Sequence, residues 1–175
     1  MSFALSNHRA LAALLLGASM VACSGDDDDS SATCTSLHSE GFVGATLKYD
    51  ATPELPTGGE ITEGTYHLTE YSVYLSSDSL VLPKCNGLSD VLLLSSGGFE
   101  HALSCYFDAN DPDSRVGGGV YAGNYFLADT DFSFNQKCPN AKIETFSYSA
   151  EPATLRFLSP DPTGSLTSEL VWTLE

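Results

Sequence analysis

Five cysteines carry the most informative chemistry of this chain: Cys23, Cys34, Cys85, Cys105 and Cys138. A cysteine sulfur can carry a covalent modification, pair in a disulfide or bind a metal, and its context separates these uses. Cys23 directly follows an apolar N-terminal segment, whereas the other four are spread over the rest of the chain. Their spacing argues against zinc, because structural zinc sites use closely spaced Cys or His pairs and the sequence has none.

The four later cysteines are an even number, which predicts two disulfides if the chain is exported. Four cysteines allow three pairings. We favour Cys85 with Cys105, because these residues flank a predicted hairpin, and this leaves Cys34 with Cys138. Each bridge would stabilise the domain by roughly 2–4 kcal/mol.

A polar run contains the residues best suited to a hard cation: Asp108, Asn110, Asp111 and Asp113. Carboxylate and amide oxygens are the ligands that calcium prefers. Pro112 stands at the third ligand position of an EF-hand loop, and no Gly or closing Glu follows at the required offset. We therefore favour an acidic surface turn and expect neither a metal nor another cofactor.

The histidines His38, His67 and His101 come with no catalytic constellation. They lack metal-ligand spacing, and no nucleophile in a local motif accompanies them for acid–base or covalent catalysis. Motifs of hydrolases, metalloproteases and phosphate-binding loops are absent. Residues 108–119 are polar and Gly-rich, which predicts a loop. We expect a protein that is not an enzyme, with His67 and His101 half-exposed on strands.

The first 22 residues have the three parts of a secretory signal. Arg9 supplies a positive charge, residues 10–18 form an apolar core, and small residues precede Cys23. The apolar run is about half the roughly 20 residues that a transmembrane helix needs. We expect residues 1–22 to be removed as a signal peptide.

The end of this signal, Met-Val-Ala-Cys at residues 20–23, resembles the lipobox of bacterial lipoproteins. The resemblance implies diacylglycerol on the sulfur of Cys23 and cleavage after Ala22. Ser24 stands where many inner-membrane lipoproteins have Asp, so the resemblance also implies an outer-membrane location in the cell envelope. Several acyl chains give lasting attachment, because each buried methylene contributes about 0.8 kcal/mol. The alternative is an ordinary secretory signal with a cysteine nearby.

Residues 23–40 predict a flexible acidic tether, because the four adjacent carboxylates of residues 26–29 repel one another and cannot bury apolar surface. The whole chain has 23 Asp and Glu against 7 Lys and Arg, a formal net charge of −16. Such acidity argues against nucleic acid as a partner, since phosphate neutralisation needs Lys and Arg. It also argues against direct adhesion to anionic lipid.

Residues 41–175 predict a single all-β domain. Apolar and β-branched runs are broken at short intervals by Gly, Pro, Asn and Asp, and no sustained helical periodicity occurs. About eight strands at near-regular spacing predict an antiparallel meander barrel, with a β-sandwich as the alternative.

Two local patterns add detail to the predicted strands. Residues 64–75 predict a long strand, and its apolar positions change face near Thr69 and Glu70, which predicts a bulge. Regular alternation from Phe99 to Phe107 places Cys105 on the buried face.

Residues 64–74, 123–127, 145–157 and 170–174 are similar to the first strand, hairpins and closing strand of small lipocalin-like lipoproteins. The resemblance implies an antiparallel barrel that can hold a small ligand. The chain has 9 Phe, 8 Tyr and 1 Trp, and such rings either line an apolar pocket or fill an ordinary core. Of these two, we favour the filled core.

The sequence thus predicts an envelope lipoprotein, anchored to a membrane through Cys23, with a lipocalin-like barrel. We expect a non-enzymatic module that binds a small apolar ligand or has a structural role. The alternative is a β-sandwich adhesion or interaction domain assisted by calcium, and an uncharacterised enzyme comes third. No protein partner can be named from the residues.

Overall fold

The structure, a computed structural model, describes residues 34–76, 84–108, 110–111, 113–160 and 166–175. These belong to one compact unit, Ser31–Glu175. The predicted signal peptide and the lipidation site Cys23 lie outside the described residues. Among the residues described, no helix is long and apolar enough to cross a membrane.

All regular structure in the described part of the chain is β, as the sequence predicted. The strands are β1 (Val43–Gly44), β2 (Thr46–Tyr49), β3 (Gly64–Leu75), β4 (Gly87–Ser95), β5 (Gly98–Tyr106), β6 (Arg115–Ala128), β7 (Asp131–Cys138), β8 (Lys142–Glu151), β9 (Thr154–Pro160) and β10 (Leu166–Leu174).

Strands β3 to β10 form a closed, eight-stranded antiparallel meander barrel. Each strand pairs with the next along the chain, and β10 returns to pair with β3. β3 also pairs with β4 over Gly64–His67 and Val91–Leu94, which completes the circle. The predicted barrel is confirmed, and the alternative β-sandwich is not formed, because the first and last strands close on each other instead of leaving two sheets.

The two short strands extend the sheet where β3 and β4 diverge. β2 runs parallel to the last residues of β3, Ser72–Leu75, and β1 pairs with the start of β4. Ala45 separates these two short strands. Both additions cover backbone groups that would otherwise form exposed sheet edges.

The predicted bulge in β3 is present at Thr69. Val171 of β10 pairs with Glu70 and Trp172 pairs with Leu68, so Thr69 is the extra residue between them. A bulge shifts the two-residue period of a strand by one position. The apolar residues on both sides of it consequently reach the same core: Tyr66, Leu68, Tyr71, Val73 and Leu75.

Large side chains fill one half of the barrel, the half in which β3 begins and β10 ends, which we call the packed half. Its largest fully buried side chains include Trp172, Tyr66, Phe132 and Leu155. Trp172 and Leu155 are directly paired across β10 and β9. The expected filled core is thus present in this half.

Both disulfides have the pairing that the sequence favoured. Cys85 bonds to Cys105 with Cα atoms 5.3 Å apart, and Cys34 bonds to Cys138 with Cα atoms 5.6 Å apart. The first bridge joins the residues before β4 to the end of β5. The second joins the first described residue to the end of β7.

Residues 34–42, which we call the N-terminal strap, lie over the outer face of β5. The Thr35 hydroxyl bonds to the carboxylate of Glu100, and Ser39 Oγ lies 2.8 Å from Ser104 Oγ. Outward-facing Ala102 and Ser104 are only 1% and 3% exposed, which indicates that this outer face is covered. Residues 34–40 were expected to belong to the flexible tether. As part of the strap, this segment contacts the barrel instead.

Two local predictions are wrong. Gly117–Gly119 does not form a loop, because β6 already begins at Arg115. Gly118 has φ +132°, and a Cβ on it would lie 2.2 Å from the Leu103 carbonyl oxygen, so glycine allows β6 to approach β5 closely. Phe107 does not continue the buried face, because it follows the end of β5 and is 66% exposed.

Candidate functional site

A cavity of about 330 Å³ lies inside the barrel, in the half opposite the packed half. All eight barrel strands contribute inward-facing residues to its wall. The volume falls at the lower end of the roughly 300–1,000 Å³ that is common for small-molecule sites. The cavity is therefore the candidate functional site.

Side-chain size explains why the cavity forms in this half. The inward positions of β9 and β10 here carry Ser159 and Ser168, which are paired directly across the two strands. Two inward-facing pairs further along the same strands, in the packed half, Leu155 is paired with Trp172. An eight-stranded barrel has an interior just wide enough to be filled by large side chains, so two serines leave space.

Aromatic rings form much of the apolar wall. Phe146 and Phe157 are stacked at 12° with centroids 5.7 Å apart, and Phe157 meets Trp172 edge-on at 4.9 Å. Phe134 contacts Phe99 edge-on at 4.6 Å. Leucines complete the apolar lining: Leu88, Leu92, Leu103 and Leu170. Such interlocked rings hold one another in place and give the cavity a firm, apolar surface.

A buried ion pair lies in the cavity wall. His101 Nε2 is 2.7 Å from Asp90 Oδ1, and Asp90 is only 1% exposed. β4 pairs Asp90 with Leu103 and Leu92 with His101, so the two polar residues are diagonal neighbours on the inner face. The His101 ring also stacks on Phe134 at 13°.

Asp90 determines the protonation of His101. Burial would lower the pKa of His101, but the charge and hydrogen bond of Asp90, together with the charge of Glu144, outweigh it and raise the pKa above 6.5. The pair therefore favours the imidazolium form. The positive charge of the His101 imidazolium is balanced by the Asp90 carboxylate, the same group that raises the pKa of His101.

The structure separates the described histidines that the sequence singled out. His67 lies on the barrel surface, 3.1 Å from Glu175 Oε2. His101 faces inward, because alternation from Phe99 places it on the inner face, and both residues lie on strands with the intermediate exposure that the sequence predicted. Asp90 was missed by sequence reasoning, although the alternation of Leu88, Asp90 and Leu92 would have placed it on an apolar face.

Trp172 contributes the other polar group of interest. Its indole borders the cavity, the residue is 1% exposed, and Nε1 has no hydrogen-bond partner. It is the one buried side-chain nitrogen or oxygen in the described ranges that has none. Buried tryptophan N–H groups usually find an acceptor, so this atom calls for an explanation.

The predicted cation candidates organise a turn. Asp108 Oδ1 accepts the backbone N–H of Asn110 at 2.9 Å, and Asp111 Oδ1 accepts that of Asp113 at 2.9 Å. These are turn contacts typical of Asp. Within the described residues, no cluster of three His, Cys, Asp or Glu side chains is placed to hold a metal.

Comparisons with known protein families, curated proteins and solved structures give no match. What the cavity can do follows from its own residues. The rings and leucines can take up an apolar body, and the few polar groups can orient it. The ring hydrogen bond of His101 goes to a carboxylate, and no described hydroxyl or thiol is hydrogen-bonded to the imidazole.

Proposed function

We propose that this protein is a non-enzymatic, lipid-anchored binding protein of the bacterial cell envelope. Its lipocalin-like barrel would hold a small, mainly apolar ligand. The observation that carries the proposal is the cavity of about 330 Å³, which has an aromatic and aliphatic wall and few polar groups. A largely apolar pocket with a few converging polar groups is the usual form of a small-molecule site.

The anchoring part of the proposal is supported by the sequence of residues 20–24. The lipobox resemblance assigns diacylglycerol to Cys23, and Ser24 favours the outer membrane. Cys34 is bonded to the barrel through Cys138. The chain from Cys23 to Cys34 can span at most about 40 Å when extended, at roughly 3.6 Å per residue. A lipid on Cys23 would therefore keep the barrel close to the membrane.

Binding can be tested with N-phenyl-1-naphthylamine, an uncharged apolar dye whose fluorescence rises in an apolar site. We expect the wild-type protein to bind the dye with one-to-one stoichiometry. Leu103→Trp places a larger side chain in the cavity wall and should abolish binding. Ile143→Trp is the matched control, because Ile143 is an exposed residue that does not line the cavity, and it should bind like the wild type.

The outcomes separate the cavity from other apolar surfaces. Circular dichroism and thermal melting establish that each variant is folded before the comparison is made. If the wild type fails to bind, or if folded Leu103→Trp binds the dye as well as the wild type, the proposed function is wrong. Native mass spectrometry of protein purified from membranes would show whether a ligand stays bound.

A further inference from the structure

One uncharged polar side chain, Gln136, faces the cavity from β7. Phe132, Phe134 and Gln136 alternate along this strand and are 0%, 6% and 8% exposed. Residues two apart lie on the same face of a strand, so Gln136 shares the inner face with the two phenylalanines. Gln136 lines the cavity together with Phe134. Its direct partner on β6 is Gly123, which has no side chain to cover it.

The side-chain amide of Gln136 makes no hydrogen bond with a residue that the structure describes. Among those residues, Trp172 Nε1 is the only side-chain nitrogen or oxygen that is both fully enclosed and unpaired. The amide oxygen and nitrogen of Gln136 are therefore unpaired but border open space, and the space that Gln136 lines is the cavity. A buried amide without a protein partner is available to a ligand.

The charges of the cavity wall are already paired. Asp90 contacts His101, and Glu144 contacts Lys142. No Lys or Arg is among the described residues that line the cavity. An anionic ligand would lack a countercharge, and a cationic ligand would compete with the existing partners of the two acids. Burial of an unpaired charge is costly, so these observations favour an uncharged ligand.

The volume of the cavity limits the size of that ligand. Liquid water takes about 30 Å³ per molecule, so a space of about 330 Å³ would hold about 11 waters. A ligand that replaces this water has about 10 to 15 non-hydrogen atoms by the same measure. This is the size of a molecule with one or two rings, and the aromatic wall suits ring contacts of the edge-on or offset kind.

The chemistry of a glutamine amide specifies what the ligand must bring. The amide has an acceptor oxygen and a donor NH2 group side by side. Another amide presents the same two groups in complementary order, so it can pair with glutamine through two hydrogen bonds. A group that only accepts, or a hydrocarbon, leaves at least one buried polar atom unpaired, which is costly.

Building on the proposed function, we infer that the cavity takes an uncharged, ring-bearing ligand whose amide group forms two hydrogen bonds with the side chain of Gln136. The amide can be a primary carboxamide, a lactam or a cyclic imide, which share this chemistry. The ring system lies against Phe134, Phe146 and Phe157, which line the same space.

Four probes of matched shape test the inference: 2-naphthamide, 2-isopropylnaphthalene, 2-naphthoate and 2-naphthamidinium. They carry an amide, a hydrocarbon, an anionic and a cationic group on one ring system. We expect the wild-type protein to bind the amide about 10-fold more tightly than the hydrocarbon, as befits two net hydrogen bonds. We expect the two charged probes to bind most weakly. Titration calorimetry measures the four affinities.

A spectroscopic readout reports on the contact itself. Gln136 is the single glutamine of the chain, so selective glutamine labelling gives one side-chain NH2 signal in a ¹H–¹⁵N spectrum. We expect 2-naphthamide to move a proton of this group downfield, because that proton gains an acceptor. We expect 2-isopropylnaphthalene, which brings no acceptor, to produce no such downfield shift.

Gln136→Met keeps the length of the side chain and removes both hydrogen-bonding groups. This variant should bind 2-naphthamide about 10-fold more weakly than the wild type does, while its affinity for 2-isopropylnaphthalene changes little. Asn135→Leu is the matched control, because it removes an amide from the neighbouring position of β7, which does not line the cavity. The control should keep the wild-type preference for the amide.

The inference is overturned if folded Gln136→Met binds 2-naphthamide as tightly as the wild type does, or if a charged probe binds best. It is also overturned if 2-naphthamide leaves the Gln136 NH2 signal unmoved, or if Asn135→Leu loses the amide preference to the same extent. If Gln136→Met does not fold, the NH2 signal and the order of the four probes on wild-type protein decide the matter.

Failure of the inference can be told apart from failure of the proposed function. Hydrocarbon binding that Leu103→Trp abolishes, without preference for the amide, removes the role of Gln136 but keeps the binding cavity. Absence of binding by all four probes and by the dye removes both.

Discussion

Nε2 of His101 and Oδ1 of Asp90 lie 2.7 Å apart on the inner face of the barrel, one residue on each of two neighbouring strands. The contact joins β4 to β5 from inside and places a balanced ion pair in the wall of an otherwise largely apolar cavity. Because each residue is the hydrogen-bond partner of the other, the removal of one leaves the other unpaired in a buried position.

The first prediction concerns this dependence. Asp90→Leu should destabilise the protein by about 3–5 kcal/mol, because His101 would lose its buried partner. Asp90→Leu combined with His101→Leu should recover much of that loss, since a well-packed apolar pair often replaces a buried ion pair without penalty. Urea unfolding measures the free energy of unfolding of the single and the double variant. A double variant that is no more stable than Asp90→Leu alone would contradict the prediction.

A second prediction follows from the raised pKa of His101. The folded protein binds the His101 proton more tightly than the unfolded chain does, so this group stabilises the fold fully below pH 6.5. That stabilisation should disappear as the pH rises through the pKa of the folded state. His101→Gln should flatten this part of the profile, as measured by the free energy of unfolding between pH 5.5 and pH 9. An identical slope in the variant would exclude His101 as its source.

A third prediction concerns Glu169 on the outer face of β10. Burial would raise the pKa of Glu169, but hydrogen bonds from Tyr74 at 2.5 Å and Arg156 at 3.0 Å, with the charges of Lys48 and Arg156, lower it below 4.5. These contacts connect β10 to β2, β3 and β9.

The contribution of Glu169 should be present above pH 4.5 and should be lost as the pH falls through the lower pKa of the folded state. Glu169→Gln should therefore reduce stability at pH 6 and weaken its dependence on acid. Glu70→Gln is the matched control, because Glu70 is exposed on β3. Thermal melting from pH 3 to pH 6 compares the stability of the two variants. If both variants lose the same stability, the contacts of Glu169 with Tyr74, Lys48 and Arg156 contribute nothing specific.

The last prediction tests the anchor. Cys23→Ser removes the sulfur that the proposed lipid needs, so the variant should leave the membrane fraction and appear in the soluble fraction. The wild-type protein should stay with membranes and gain the mass of a diacylglycerol. Retention of the folded variant on membranes would show that something other than Cys23 holds the protein there.

Local patterns along the chain were sufficient for the strand content and for the disulfides. β3 spans the predicted residues 64–75, and its bulge was visible because the apolar period changes phase near Thr69. Cys85 and Cys105 could be paired because they flank a hairpin. These features depend on neighbours in sequence, where the two-residue period of a strand and the chemistry of turns act directly.

The cavity and its polar groups depended on the tertiary structure. The register of β4 against β5 makes Asp90 and His101 neighbours, and the return of β10 to β3 brings Trp172 to the cavity. The N-terminal strap covers β5 through contacts between residues 65 positions apart. The alternation of one strand shows which face is buried, but barrel closure and strand register decide which buried side chains meet, and where two serines leave a space.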